Sequence, residues 1–339
     1  MKALVLEEPG RLRLSERPQA PSPQQGEALV RVHRVGVCGT DIHAYAGKQP
    51  FFEYPRLIGH ELGVEVLEVG PDTQGIQMGD HCAVEPYLNC EKCIACRRGK
   101  GNCCAQMKVM GVHIDGGLRE QFVLPARKLH VSPTLSFDQL ALVETLAIGA
   151  HAVARAQVER DEWVVVIGAG PIGLGVMQFA KQAGAHVIAL DVNAERLQFC
   201  REVWNIEHTI VVSDATLEEL RALTDGDLPT VVFDATGHPA SMKGAFEFVA
   251  PGGRLVFVGL FQGEVSFFDP DFHRKEMTLL ATRNALPQDF KNILGWMENG
   301  EIDTSPWITH RAPLHEVPET FESWTNPRNG VLKAMIELA

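Results

Sequence analysis

The chain reads as an α/β protein in which a β-rich domain is joined to a doubly wound parallel sheet. Two observations carry this. Residues 1–145 hold short alternating apolar runs punctuated by glycine and proline, as a compact β-rich domain does. From about position 146 the runs become continuous and alternate with helical stretches, the pattern of a parallel sheet covered on both faces. The 339 residues are enough for two domains of ordinary size.

In the first part, 26–35 and Gly63–Gly70 read as strands. The N-terminal segment from Met1 to Gly10 reads as a strand ending in a turn. It lacks the apolar run and small-residue cleavage site of a signal peptide. In the second part, Trp163–Ile167 is an apolar strand, followed by a helix from Ile172 to Gln182. The strand His186–Leu190 comes next, then a helix around Glu195 to Val203. Further β runs lie at Thr209–Val212, Thr230–Asp234 and Arg254–Val258, with helical stretches between. After about 284 this rhythm fades, and Leu332–Leu338 reads as a last strand returning to the first domain. The expected division is 1–145 with 284–339, and 146–283 between them.

The net charge of −12 disfavours nucleic acid and acidic membrane surfaces, since both need basic patches. No uncharged apolar run is long enough to span a bilayer, and the expected compartment is the cytoplasm.

Gly168-Ala-Gly-Pro-Ile-Gly173 has the form G-x-G-x-x-G. Alone the pattern is weak, but here it follows a strand and opens a helix. Gly168 permits a tight turn, Gly170 lets a pyrophosphate approach the backbone, and Gly173 lets helix and strand pack closely. Pro171 and Ile172 open the helix, whose N-terminal amides suit phosphate. Asp191 closes the second strand, where its carboxylate accepts from the adenosine ribose and repels a 2′-phosphate. NAD is the expected cofactor, with Arg196 as a further contact.

Five of the eight cysteines fall between 90 and 104. Cys90, Cys93, Cys96 and Cys104 form C-x2-C-x2-C-x7-C, a loop that can gather four thiolates around a structural zinc. Cys103 competes with Cys104 for the fourth place. An iron–sulfur run of the bacterial kind needs cysteine at position 100, which is lysine. Cys38 and His60 could belong to a second, open zinc site. Each taken singly has a plainer reading, as a small buried residue or a structural histidine.

These residues together resemble the medium-chain, zinc-containing alcohol and polyol dehydrogenases. The matching stretches are Gly36–His43, Gly59–Glu61, the cysteine loop, Glu144, Gly168–Gly173 and Asp191. The resemblance implies a GroES-like β-rich catalytic domain and a Rossmann nucleotide domain. It implies that Cys38 and His60 hold a catalytic zinc, with Glu61 in or next to the coordination sphere and Glu144 a second acid nearby. On a regular strand His60 and Glu61 point to opposite faces, so both reach the metal only if the backbone is irregular there. The family usually has proline after the second acid, in a loop; here the residue is Thr145. Thr40 matches the hydroxyl that takes the substrate proton and His43 the histidine that passes it on, while Asp41 is assigned a structural part. Zinc then polarises the alcohol and a hydride passes to the nicotinamide.

Within the family the chain is most similar to the sugar-acid branch, the L-galactonate and L-gulonate 5-dehydrogenases. The similar stretches are Gly47–Glu61, Val109–Gly117 and Thr282–Ala285. A sugar acid carries a carboxylate that an arginine would hold through paired hydrogen bonds. Arg283 is the candidate, with Arg119 and Lys48 behind it. Sorbitol-like polyols and L-threonine are alternative substrates under the same chemistry. A non-catalytic NAD-binding sensor on this fold is the alternative of another class. A homo-oligomer, dimer or tetramer, is expected.

Overall fold

The computed structural model describes residues 1–50 and 52–338. Phe51, within the similar stretch Gly47–Glu61, lies outside the described residues. The chain divides into two compact units, 1–145 with 286–339, and 146–285.

The first unit is built on a seven-stranded sheet. Its order is Leu129–Val131, His81–Val84, Glu61–Val69, Glu27–Val37, Lys333–Glu337, Ile308–Pro313, with Gln121–Pro125 also paired to Glu27–Val37. Glu27–Val37 is central because it alternates: Ala28, Val30, Val32 and Val35 are buried in the core. The C-terminal strand Lys333–Glu337 runs antiparallel to it. A smaller sheet joins Arg11–Glu16, Lys2–Glu8 and Arg56–Leu57.

The helix Phe137–Ala156 is not among the elements expected from the sequence. Its twenty residues replace the loop expected around Glu144, which sits in the helix interior. The helix lies tight on the sheet, where a Cβ on Gly63 would come within 2.2 Å of the Phe137 carbonyl oxygen. Asp138 in its first turn accepts from Arg34 Nε at 2.9 Å and Arg311 Nη2 at 2.6 Å. Negative charge there also suits the helix dipole.

After residue 284 the chain forms the helices Pro287–Glu298 and Val317–Trp324 around the strand Ile308–Pro313.

The second unit is a six-stranded parallel sheet. The order is His208–Val211, His186–Asp191, Trp163–Ile167, Val231–Asp234, Arg254–Phe257, Thr278–Ala281. In chain order this is 3-2-1-4-5-6, the doubly wound Rossmann arrangement. Its central strands are buried on both faces: Val164, Val165, Val166, Val231, Val232 and Phe233 are all fully enclosed. Thr278–Ala281, at the edge of the sheet, is largely exposed.

Candidate metal and dinucleotide sites

The cysteine loop is assembled by short-range structure. Cys93 precedes a one-turn helix, Ile94–Arg97, and Cys104 follows the 3-10 turn Gly101–Cys103. The sulfur of Cys93 lies 3.5 Å from that of Cys96 and 3.9 Å from that of Cys104. Four sulfurs about 2.3 Å from a tetrahedral zinc sit about 3.8 Å apart, so the spacing fits that ion. Backbone amides favour thiolates here: Cys90 N–H and Gln106 N–H donate to Cys104, and Cys93 N–H to Cys90. Such amides, from Cys96 and Ala105 above all, hold the Cys93 thiol down to about 6. Cys104 is buried and belongs to the four; its neighbour Cys103 points out and is exposed.

The second cluster joins three parts of the first unit. Cys38 caps the helix Gly39–Tyr45. His60 directly precedes the strand Glu61–Val69, and Gly59 before it has φ +90. A Cβ on Gly59 would lie 2.8 Å from Val35 Cγ1, so only glycine makes this turn. The turn supplies the irregularity needed for both His60 and Glu61 to converge: donor atoms of Cys38, His60 and Glu61 all lie within 4.8 Å of one another. Gly36, paired across from Glu61, makes room for the carboxylate, since a Cβ there would sit 2.1 Å from Glu61 Oε2. Gly116, Gly117 and Leu118 support the turn from behind: their N–H groups donate to the carbonyls of Leu57, Gly59 and Ile58.

Asp41 holds the two ligand-bearing segments together. Its carboxylate accepts from Cys38 N–H at 3.0 Å and Gly59 N–H at 3.2 Å, and lies 3.8 Å from His60 Nδ1. Burial and the charge of Glu61 raise its affinity for a proton. Burial by itself would lower the proton affinity of His60, but Asp41, then Cys38 and Glu144, raise it well above the ordinary value. His60 Nδ1 is buried without a hydrogen bond. A half-buried thiol, an imidazole and a carboxylate converging in this way form a donor set that suits a divalent cation, and zinc in particular.

Glu144 reaches the same region from the helix. It accepts a hydrogen bond from the buried Tyr87 hydroxyl through Oε1. Burial and the charge of Glu61 raise its pKa, against the pull of His60 and Tyr87. Burial, then Glu144, pushes the Tyr87 phenol well up. Two more groups were absent from the sequence reading, Tyr87 and Lys333. Lys333 donates to both oxygens of Glu61. Neither carried a motif; the only signal for Lys333 was a charged residue at the head of an apolar strand.

Thr40 and His43 lie three residues apart on the helix that starts after Cys38, and so share a face. Thr40 is half-buried and His43 exposed.

In the second unit, Gly168 has φ +100, and a Cβ on Gly173 would lie 1.7 Å from the Gly168 carbonyl oxygen. A Cβ on Gly170 would meet only Arg196 Nη1, at 3.9 Å, so the backbone there is open to a ligand. Pro171 and Ile172 begin the helix Pro171–Gln182. Asp191, 7 % exposed, accepts from Ala169 N–H at 2.7 Å and Asn193 N–H at 2.8 Å. The carboxylate is thereby fixed beside the glycine turn, and each oxygen keeps a lone pair for a ribose hydroxyl. This cradle suits a dinucleotide. Arg283 is exposed in the loop just after the strand Thr278–Ala281. Of the other two basic candidates, Arg119 is half-buried over the Phe122 ring and Lys48 is exposed.

Residues 24–134 match the family described as alcohol dehydrogenase GroES-like domain, and 171–299 the one described as zinc-binding dehydrogenase. The chain is 39% identical to L-galactonate-5-dehydrogenase of Escherichia coli K12, over 99% of this chain and 98% of that one. It is 31% identical to sorbitol dehydrogenase of Halalkalibacterium halodurans, over 95% and 96%. Among solved structures, the alcohol dehydrogenase rspB of Escherichia coli CFT073, complexed with NADH, superposes with a TM-score of 0.92. That match has 31% identity and covers 100% of this chain and 99% of that one.

Proposed function

Because the chain belongs to the zinc-type medium-chain alcohol dehydrogenase family, we propose that it oxidises a secondary alcohol of a sugar acid, of the L-galactonate or L-gulonate type, to the keto acid with NAD. It is a dehydrogenase with a GroES-like domain and a Rossmann domain. The observation that carries the substrate is the likeness to L-galactonate-5-dehydrogenase along the whole chain.

In this reading the unit 1–145 with 286–339 holds both zincs, and 146–285 holds NAD. Cys90, Cys93, Cys96 and Cys104 close around a structural ion. Cys38 and His60, with Glu61 and Glu144, hold the other and leave room for the substrate. Zinc supplies Lewis-acid polarisation of the substrate hydroxyl, and NAD supplies the hydride acceptor. Asp41 keeps Cys38 and His60 in register. Thr40 takes the proton from the substrate hydroxyl, and His43, being exposed, passes it to water. Asp191 selects NAD. Arg283 holds the carboxylate of the sugar acid.

The protein works as a homo-oligomer, for which the largely exposed edge strand Thr278–Ala281 and the exposed Leu260 and Phe268 offer a contact. Free thiols poised for metal suit the cytoplasm. No helix among the described residues is long and apolar enough to cross a membrane.

The test is NADH formation with L-galactonate, L-gulonate, sorbitol and L-threonine. The hexonates should give the highest kcat/KM. Arg283→Ala should lose most on them, since stranding a desolvated carboxylate costs roughly 2–5 kcal/mol, and little on sorbitol. Preference for sorbitol or L-threonine over both hexonates would discard the sugar-acid substrate while keeping the zinc chemistry.

A further inference from the structure

Thr40 and His43 stand on a helix of seven residues, Gly39–Tyr45. So short a helix does not hold itself in water, and its last carbonyls have no partner within it. It keeps a fixed direction only if it is held from outside.

The segment that brings in His60 holds it at both ends. At the N-terminal end Gly59 N–H donates to the Asp41 carboxylate at 3.2 Å. At the C-terminal end the Tyr54 hydroxyl donates to the carbonyl of Ala44. Between these two grips Arg56–Leu57 is a strand paired with Lys2–Glu8, which fixes how far apart they stand. Tyr54 is half-buried, and its ring meets Phe52 edge-on with centroids 4.8 Å apart. Burial raises the pKa of its phenol, so the hydroxyl stays a donor at neutral pH.

The backbone takes the other carbonyls of the last turn. Lys48 N–H donates to His43 and Gly10 N–H to Tyr45, both at 2.8 Å, and Gly47 N–H shares Ala44 with Tyr54 at 3.0 Å. Of these donors only Tyr54 reaches the helix through its side chain. Lys48 and Tyr54 thus tie both ends of the stretch 48–54 to one turn of the helix, the turn that carries His43.

We infer that Tyr54 is a positioning residue for the proton relay. It fixes the last turn of the helix, and with it the direction of Thr40 and His43 relative to Cys38 and His60. It acts through the Ala44 carbonyl and carries no proton itself. The inference rests on the relay proposed above for Thr40 and His43, and it gives the segment 47–61 a second part besides supplying a metal ligand.

The experiment uses the full-length, zinc-loaded protein with NAD and L-galactonate, then NAD and sorbitol, in H2O and in D2O. Tyr54→Phe removes the hydroxyl and keeps the ring. Its kcat should fall roughly fivefold, the weight of one ordinary hydrogen bond, with KM little changed. The solvent isotope effect on kcat should rise, because proton transfer becomes the slower step. Zinc content should stay at the wild-type value, while amide exchange quickens at Ala46, Gly47 and Lys48. Phe52→Leu, which keeps the hydroxyl but loosens the ring beside it, should give the same changes to a smaller extent. In a His43→Gln background Tyr54→Phe should bring no further loss of kcat. Wild-type kcat and isotope effect in Tyr54→Phe, or a loss equally large in the His43→Gln background, would overturn the inference. His43→Gln protein as active as the wild type would instead overturn the relay on which it rests.

Discussion

Individual residues at both sites are held by backbone amides. Asp191 is bound to Ala169 N–H and Asn193 N–H, so its carboxylate cannot swing away from the glycine turn. An NADP phosphate therefore meets a fixed negative charge. Like charges brought together at an interface cost several kcal/mol, and about 1.4 kcal/mol is tenfold in rate. The kcat/KM with NAD should exceed that with NADP by roughly a hundredfold, and Asp191→Ala should narrow the gap. Equal efficiency of the wild-type protein with both cofactors would remove Asp191 from this part. The residues that spacing alone makes legible have partners close along the chain. Gly168 to Gly173 and the four cysteines are local motifs, and the spacing itself carries the chemistry. Lys333 is 272 residues from Glu61 and 188 from Thr145. Tyr87 is 57 from Glu144. No local pattern reports such pairs. The choice between Cys103 and Cys104 stayed open for another reason: spacing permits both, and only the turn Gly101–Cys103 directs one inwards.

Among the elements, buried parallel strands were the easiest to read, because enclosure on both faces writes a continuous apolar run. The helix Phe137–Ala156 was the hardest. It is apolar on nearly every side, with Leu140 to Val143, Leu146 and Ala147 all buried. A helix enclosed all round lacks the one-sided periodicity that identifies a surface helix. Its start is tied to the sheet by Asp138. Burial raises the pKa of that carboxyl, but the hydrogen bond and charge of Arg311, then Arg34, outweigh this and leave it lowered. A depressed folded pKa gives stability that is present above the unfolded value and lost as pH falls through the folded one. The wild-type protein should thus lose Tm below about pH 4 through this group, and Asp138→Asn should lose that part of the acid sensitivity. Thermal melts taken from pH 6 downward test it, and parallel curves for the two proteins would count against the anchor.

At the scale of the whole molecule, the proposed function puts two metal sites of opposite character in one unit. One is a loop that gathers four sulfurs, enough to fill a tetrahedral ion and leave nothing for a substrate. The other gathers Cys38, His60 and Glu61, held in register by Asp41 and a turn that only Gly59 can make. The central claim is that the second site carries the chemistry and the first carries only structure. Zinc content measured alongside NADH formation tests it most directly. The account predicts about two zinc ions per wild-type chain. Cys38→Ala should keep about one, stay folded and form no NADH on L-galactonate or any polyol. Wild-type protein that keeps full activity after its zinc has been removed, or Cys38→Ala protein as active as the wild type, would contradict it.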